Sequence, residues 1–316
     1  MNILITGGAG FIGSSLIDYY LKNTNFNILC IDNFDLFYNK EKKLNNLEPF
    51  VSNSRFKFFE YDILNLDTLD IKDNIDCIVH IAAKAGVRPS IENAASYFDV
   101  NVNGTLKVLE FAKKRSVSKV VFASSSSVYG VNKNIPWKVD ELDLQPISPY
   151  ASSKIAAEKI GFTYSYLFGI QFIALRFFTV YGPKQRPDLA ISKFIKKIDN
   201  NEPIQIYGDG STSRDYTYID DIVEGIYKAT THIFDKHFEV FNLGNSNTIK
   251  LLDLVNIIGE CLNKKPILEF YPEQEGDVPH TFSDIQKSIE ILGYHPKTNI
   301  RDGIKKQVAC FKSSLA

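Results

Sequence analysis

Short apolar runs alternate with amphipathic stretches through the first half of the chain. Asn2–Thr6, Ile28–Asp32, Phe56–Tyr61, Cys77–Ala82, Lys119–Ala123 and Phe172–Phe177 read as strands, each bounded by polar or glycine-containing segments. Between them, Phe11–Leu21, Tyr97–Lys114 and Tyr150–Phe168 carry helical patterns. In the last of these, Ile155, Ile160, Tyr164 and Leu167 recur at helical spacing. Strand–helix alternation predicts an α/β chain built on a doubly wound parallel sheet, covered on both faces and joined by right-handed crossovers. The pattern changes after Phe177. Turns such as Tyr181-Gly182-Pro183 and Tyr207-Gly208-Asp209-Gly210 separate shorter elements, and the last third is mostly helical. Phe238–Leu243 still reads as a strand, which brings the chain back to the first sheet. The expected division is a nucleotide-binding domain over 1–177 with return segments near 216–243, and a smaller, mostly helical substrate lobe from 178–215 and 244–316. A ligand belongs between such lobes.

Composition narrows the function more than the fold. The 316 residues are 44% hydrophobic and 23% charged, with a formal net charge of -1. No overall field therefore draws the chain to nucleic acid or to an anionic membrane. The four cysteines, Cys30, Cys77, Cys261 and Cys310, are scattered, as are the five histidines. Neither set has metal-ligand spacing, so no metal is expected, and the cysteines read as reduced structural thiols. Met1 leads straight into the first strand, and no apolar run approaches the roughly 20 residues that span a bilayer. The expectation is a cytoplasmic protein.

The first strand opens into Gly7-Gly8-Ala9-Gly10-Phe11-Ile12-Gly13. Gly7, Gly10 and Gly13 let the backbone turn tightly and approach a pyrophosphate, while the helix starting at Phe11 and Ile12 offers N–H groups and the positive end of its dipole. A glycine-rich turn with no ligand is the plain alternative. Asp32, 19 residues after Gly13 at the end of the second strand, favours the first reading. A carboxylate there, with Asn33 beside it, accepts hydrogen bonds from an adenosine ribose and repels a 2′-phosphate, which favours NAD over NADP. Asp62, before Ile63 at the end of the third strand, suits either an adenine contact or a helix N-cap.

Chemistry is expected at Tyr150 and Lys154. A tyrosine titrates at about 10, and a lysine four residues along the same helix face favours its phenolate. Upstream, Ser124 to Ser127 follow a buried strand at its carboxyl end, the edge where open parallel sheets bind ligands. A serine hydroxyl placed there can share a proton with Tyr150, which would then act as general base and acid. A chance tyrosine–lysine pair and a plain polar loop would account for each feature taken alone.

Together these residues resemble the extended short-chain dehydrogenase/reductase family, whose members act on nucleotide sugars. The resemblance is carried by Thr6–Gly13, His80-Ile81-Ala82-Ala83, Ser125, Val128-Tyr129-Gly130, Ser148–Lys154, Leu175-Arg176 and Ser213–Asp221. It implies a Rossmann-type fold, a catalytic set of Ser125, Tyr150 and Lys154, and cofactor contacts from Ala82, Ala83, Lys84 and Asn101 as well as from Tyr150 and Lys154 themselves. It also implies a homodimer pairing the helices around Tyr97–Lys114 and Tyr150–Phe168. Related dehydratases carry an Asp-Glu pair before Val-Tyr-Gly, and UDP-glucuronate decarboxylases a glutamate. Here Ser126 and Ser127 stand there, leaving inversion at C4 through a transient ketone. The segments Arg176–Ala190, Ala85–Ser90 and Gly276-Asp277-Val278-Pro279 are most similar to UDP-glucuronate 4-epimerases, whereas many UDP-glucose 4-epimerases place asparagine where this chain has Thr179. The resemblance thus implies a sugar carboxylate met by Ser126, Ser127, Thr179 and Arg186, with Arg88 and Arg214 nearby or on the diphosphate. UDP-glucose and UDP-N-acetylglucosamine remain alternative substrates, and a non-catalytic NAD-sensing module is the reading from another class.

Overall fold

The computed structural model describes residues 1–272 and 278–314. In chain order its elements are β1 (Asn2–Thr6), α1 (Phe11–Asn23), β2 (Asn27–Asp32), α2 (Lys40–Leu47), β3 (Phe56–Glu60), β4 (Cys77–His80), α3 (Val87–Glu92), α4 (Ala94–Phe98), α5 (Gly104–Lys114), β5 (Lys119–Ser125), α6 (Pro149–Phe168) and β6 (Gln171–Phe177). There follow β7 (Thr179–Tyr181), α7 (Ala190–Asp199), β8 (Ile204–Tyr207), β9 (Ser213–Tyr218), α8 (Ile219–Thr231), β10 (Phe238–Leu243), β11 (Thr248–Lys250), α9 (Leu251–Leu262), β12 (Leu268–Tyr271), α10 (Gln286–Leu292) and α11 (Ile300–Ser313).

Seven strands form one parallel sheet in the order β10-β6-β5-β4-β1-β2-β3. This is the Rossmann-type doubly wound order, extended at one edge by β10. The chain reverses direction of growth between β1 and β4, so a crevice opens there at the carboxyl ends of the strands. Alternation within the apolar runs sends side chains to two cores. Ile3, Ile5 and Val121 pack with Leu16 and Ile17 of α1 and Ile222 of α8. Leu4, Val120 and Phe122 face the other way, onto Val108 and Leu109 of α5 and Ala157 of α6. The first core continues without a break to Ile191, Phe194, Ile204 and Leu254 beyond the large sheet. Two small sheets, β11-β9-β7 and β12-β8, complete the fold, and Thr179 and Val180 of β7 and Arg214 of β9 reach the crevice.

The seven strand positions expected from the pattern are all present, shifted by a residue or two at their ends. The helix expected over Tyr97–Lys114 differs. It begins at Ala94 and widens into a π-helical turn at Asp99–Asn103 before α5. Periodicity cannot register such a turn, because one extra residue leaves apolar spacing on both sides intact.

Candidate functional site

A cleft of about 510 Å³ runs along the carboxyl edge of the large sheet. At one end lies the loop after β1. Gly7 has φ of +73°, and a Cβ there would meet the Ala82 nitrogen at 2.7 Å. A Cβ on Gly13 would sit 2.3 Å from the Gly7 carbonyl oxygen. Gly10 caps α1 without any side-chain acceptor, so the first-turn N–H groups are left for a ligand, and Gly10, Phe11, Ile12 and Gly13 all line the cleft. Asp32 is buried beside them. Its carboxylate accepts from Phe34 N at 2.9 Å and Ala9 N at 3.1 Å. Burial raises its pKa, against the pull of those bonds and of Lys43. Asn33 donates to Asp62 at 2.8 Å, while the other Asp62 oxygen accepts from Leu64 N at 2.8 Å. Asp62 therefore caps a turn and lines the cleft at once, with Ile63 next to it. These features fit a dinucleotide: a cradle that side chains would fill, a helix start open to phosphate, and a carboxylate where a ribose would lie.

Ala82, Ala83 and Lys84 leave the end of β4 along the cleft floor. Asn101 does not line it. It is buried in the π-helical turn, where its amide clasps Lys84 N at 2.8 Å, Lys84 O at 2.9 Å and Ser153 Oγ at 2.9 Å. These bonds hold the Lys84 backbone against α6. The widened turn is what directs that side chain inward.

Midway along the cleft, Ser125 ends β5 and meets the first turn of α6. That helix is started by Ser148, whose Oγ accepts from Ala151 N at 3.1 Å, and by Pro149. Tyr150 and Lys154 follow one turn apart. Ser127 donates to Ser125 Oγ at 2.9 Å, and the Ser125 hydroxyl stands close enough to the Tyr150 phenol to lower its pKa. Lys154 is buried, donates to the Ala123 carbonyl at 2.8 Å and lies 4.8 Å from the Phe122 ring centroid.

The electrostatics differ from the expectation that Lys154 acidifies Tyr150. Burial holds the Tyr150 phenol above its ordinary value, opposed by the Ser125 hydroxyl and the Arg186 guanidinium. Burial likewise lowers Lys154 to about 7, with Glu158 pulling it back up. The sequence could place the lysine one turn away, but desolvation of both groups is a property of the packed cleft.

Ser126, Ser127, Thr179, Arg186 and Arg214 also line the cleft. Arg186 is bound to Asp188 at 3.0 and 2.7 Å, and its guanidinium lies 4.9 Å from the Phe37 ring centroid. Arg214 is anchored on the carbonyls of Ser213 and Pro279 at 3.0 and 3.1 Å. Arg88 stands next to the lining residues Gly86 and Val87, exposed on α3, with its guanidinium 5.4 Å from the Tyr207 ring centroid. Gly276-Asp277 lie outside the described residues. Sequence reasoning missed Tyr38, Lys43, Trp137 and Thr281 in the lining. Trp137 stacks on Tyr129 with centroids 5.0 Å apart, and no local pattern connects a tryptophan in a long loop to that ring. Among the described residues, no group of histidine, cysteine and acidic side chains could hold a metal ion.

The sequence pattern of the NAD dependent epimerase/dehydratase family matches residues 3–244. The chain is 38% identical to the UDP-glucuronate 4-epimerase of Thermodesulfobacterium geofontis, over 99% of this chain and 96% of that one. Among solved structures it is similar to the UDP-glucuronic acid 4-epimerase of Bacillus cereus in complex with UDP-glucuronic acid and NAD, with TM-score 0.94, 35% identity and 99% and 100% of the two chains covered. The UDP-glucose 4-epimerase of Thermotoga maritima with UDP-glucose is also similar, with TM-score 0.89, 31% identity and full coverage of both chains.

Proposed function

We propose, for a chain that belongs to the NAD dependent epimerase/dehydratase family, an NAD-dependent inversion at C4 of a UDP-sugar, converting UDP-glucuronate to UDP-galacturonate. NAD, held by the Gly7–Gly13 loop, Asp32, Asn33 and Asp62, supplies a hydride acceptor that is regenerated in each cycle. Tyr150 takes the proton of the C4 hydroxyl as that carbon is oxidised and returns it when the ketone is reduced from the other face. Ser125 donates to the reacting oxygen, and Lys154 supports the phenolate. The sugar and diphosphate lie toward the lobe formed by 178–215 and 244–316, where Arg214 faces the cleft.

One observation carries this reading over elimination or decarboxylation. Among the described residues, the acidic ones that line the cleft, Asp32, Asp35 and Asp62, gather around the ends of β2 and β3, at the cofactor's end. Around the expected sugar position stand hydroxyls instead: Ser126, Ser127 and Thr179. Hydroxyls and Arg186 suit a carboxylate on the sugar, and among the described lining residues no second carboxylate stands there to act on the ketone. A 4-keto-glucuronate is a β-keto acid that loses CO2 readily, so the same contacts must hold the carboxylate away from the geometry for C–C cleavage.

Purified protein given each UDP-sugar without added NAD is expected to convert UDP-glucuronate at least about tenfold faster than UDP-glucose or UDP-N-acetylglucosamine, within the range that pocket contacts discriminate. Equal or faster turnover of UDP-glucose would overturn the assignment of sugar. Abundant UDP-pentose after long incubation would overturn the restraint placed on the carboxylate.

The homodimer implied by resemblance is supported by α5 and α6, which expose Leu106, Phe162, Tyr166, Leu167 and Phe168. Sedimentation equilibrium is expected to give twice the chain mass, and Tyr166→Glu/Leu167→Glu to give one chain mass. A monomeric parent protein would refute it. No described helix is long and apolar enough to cross a membrane, and four free cysteines fit the cytoplasm.

A further inference from the structure

Beneath the reacting residues, three buried polar side chains from three elements meet. Ser124 on β5 and Arg176 on β6 are lateral partners in the sheet register, and Glu158 lies one turn beyond Lys154 on α6. Glu158 accepts from Ser124 Oγ at 2.5 Å, from Arg176 Nε at 3.0 Å and from Arg176 Nη2 at 2.9 Å. Both charged side chains are 4% exposed. Arg176 also lies over the Tyr129 ring, 4.9 Å from its centroid. Its Nη1 is the one buried side-chain nitrogen or oxygen among the described residues without a hydrogen-bond partner.

Such a pair is poorly explained by stability alone, since apolar replacements of buried ion pairs are often neutral or stabilising. Its location suggests another use. Lys154 is faced by Tyr150 and Glu158 from its own helix, by the Phe122 ring and Ala123 carbonyl from β5, and by His80 from β4. His80 is buried between Thr6 and Thr105 and lowered to about 3 by burial and by Lys154, so it stays neutral. Arg176, from β6, stands behind Glu158. The carboxylate of Glu158 is therefore the negative charge in this surround, fixed in place by Arg176 and Ser124.

We propose that Glu158, clamped by Arg176 and Ser124, is a positioning residue that holds Lys154 as an ammonium ion beside Tyr150. The inference rests on the acid–base reading of Tyr150 and Lys154 given above. A neutral amine would offer the phenolate no charge, and burial alone drives Lys154 toward that form. Burial lowers Lys154 to about 7 even with the carboxylate present, and removing Glu158 takes away the charge that opposes that fall.

The test follows the Lys154 Nζ signal by NMR in protein labelled with 15N-lysine, assigned by its loss in Lys154→Met. Its titration midpoint is expected to fall by on the order of one pH unit in Glu158→Gln and to stay in place in Ser124→Ala, which keeps the charge. Because Glu158→Gln strands Arg176 and can prevent folding, Glu158→Gln/Arg176→Met removes both charges together, and its midpoint is expected to fall as well. An unchanged midpoint in either folded variant overturns the proposal. The alkaline limb of turnover against pH, where the ammonium is lost, separates this from the function itself. A midpoint that falls with an unmoved limb upholds the Glu158–Lys154 link and refutes the role of Lys154 in the reaction.

Discussion

Replacing Tyr150 by phenylalanine is expected to lower turnover by roughly 10²–10⁴ while the protein keeps its fold and its NAD. The loss corresponds to about 3–5 kcal/mol of transition-state stabilisation. It is confined to turnover because the phenol oxygen is the only atom removed. The ring keeps its edge contact with Tyr97, at a centroid separation of 6.2 Å, and its place in the first turn of α6. The Gly7–Gly13 loop and Asp32 lie at the other end of the cleft and are untouched. Ser125 loses its phenol partner but keeps the hydrogen bond from Ser127. Single-turnover measurements, with bound nucleotide read by absorbance, check this. Near-normal turnover in the phenylalanine variant would remove Tyr150 from the mechanism, and with it the proton route assigned here.

Gly13→Ala is expected to empty the protein of NAD and to destabilise it by about 1–3 kcal/mol, the usual range for overpacking. The added Cβ would lie 2.3 Å from the Gly7 carbonyl oxygen and 2.6 Å from the Gly8 Cα, both backbone atoms that cannot rotate away. Relief requires α1 to move off the loop, which opens the pyrophosphate cradle. Gly10→Ala supplies the contrast within the same motif. Its nearest neighbour would be the Gly7 carbonyl at 3.3 Å, a contact that a few tenths of an ångström relieve. The ratio of absorbance at 260 and 280 nm, together with thermal unfolding, measures both effects. Retention of a full complement of NAD by Gly13→Ala would show that the loop does not hold the pyrophosphate.

How much of this was legible beforehand depends on the kind of signal. The glycine loop, the carboxylate ending β2 and the Tyr150/Lys154 spacing are short-range features: each lies within a single turn, strand end or helix face. The large sheet was legible for the same reason, since apolar runs and helical spacing are written locally. Glu158 was within reach, because it sits four residues beyond Lys154 on the same helix face. Arg176 was visible as a charge inside an apolar strand, but its partner lies on another element and no spacing names it. Asn101 and Arg88 were carried toward a ligand by the resemblance alone; only the fold shows that Asn101 clasps the Lys84 backbone and that Arg88 follows the lining residues Gly86 and Val87.

Chain chemistry alone settles which groups are available: a phosphate cradle, a ribose acceptor, a tyrosine with its lysine, and hydroxyls in place of a second carboxylate. Those follow from residue type and near-neighbour spacing, and the backbone geometry that serves them repeats every turn or every strand. Protonation states and partners needed the folded molecule. Burial raises Tyr150 and lowers Lys154, and the charges that oppose it are Arg186, from a separate segment of the cleft, and Glu158, one turn along α6 and held there by Arg176 of the sheet. Desolvation depends on everything that surrounds a group, and residues distant in the chain become neighbours only once seven strands have found their register.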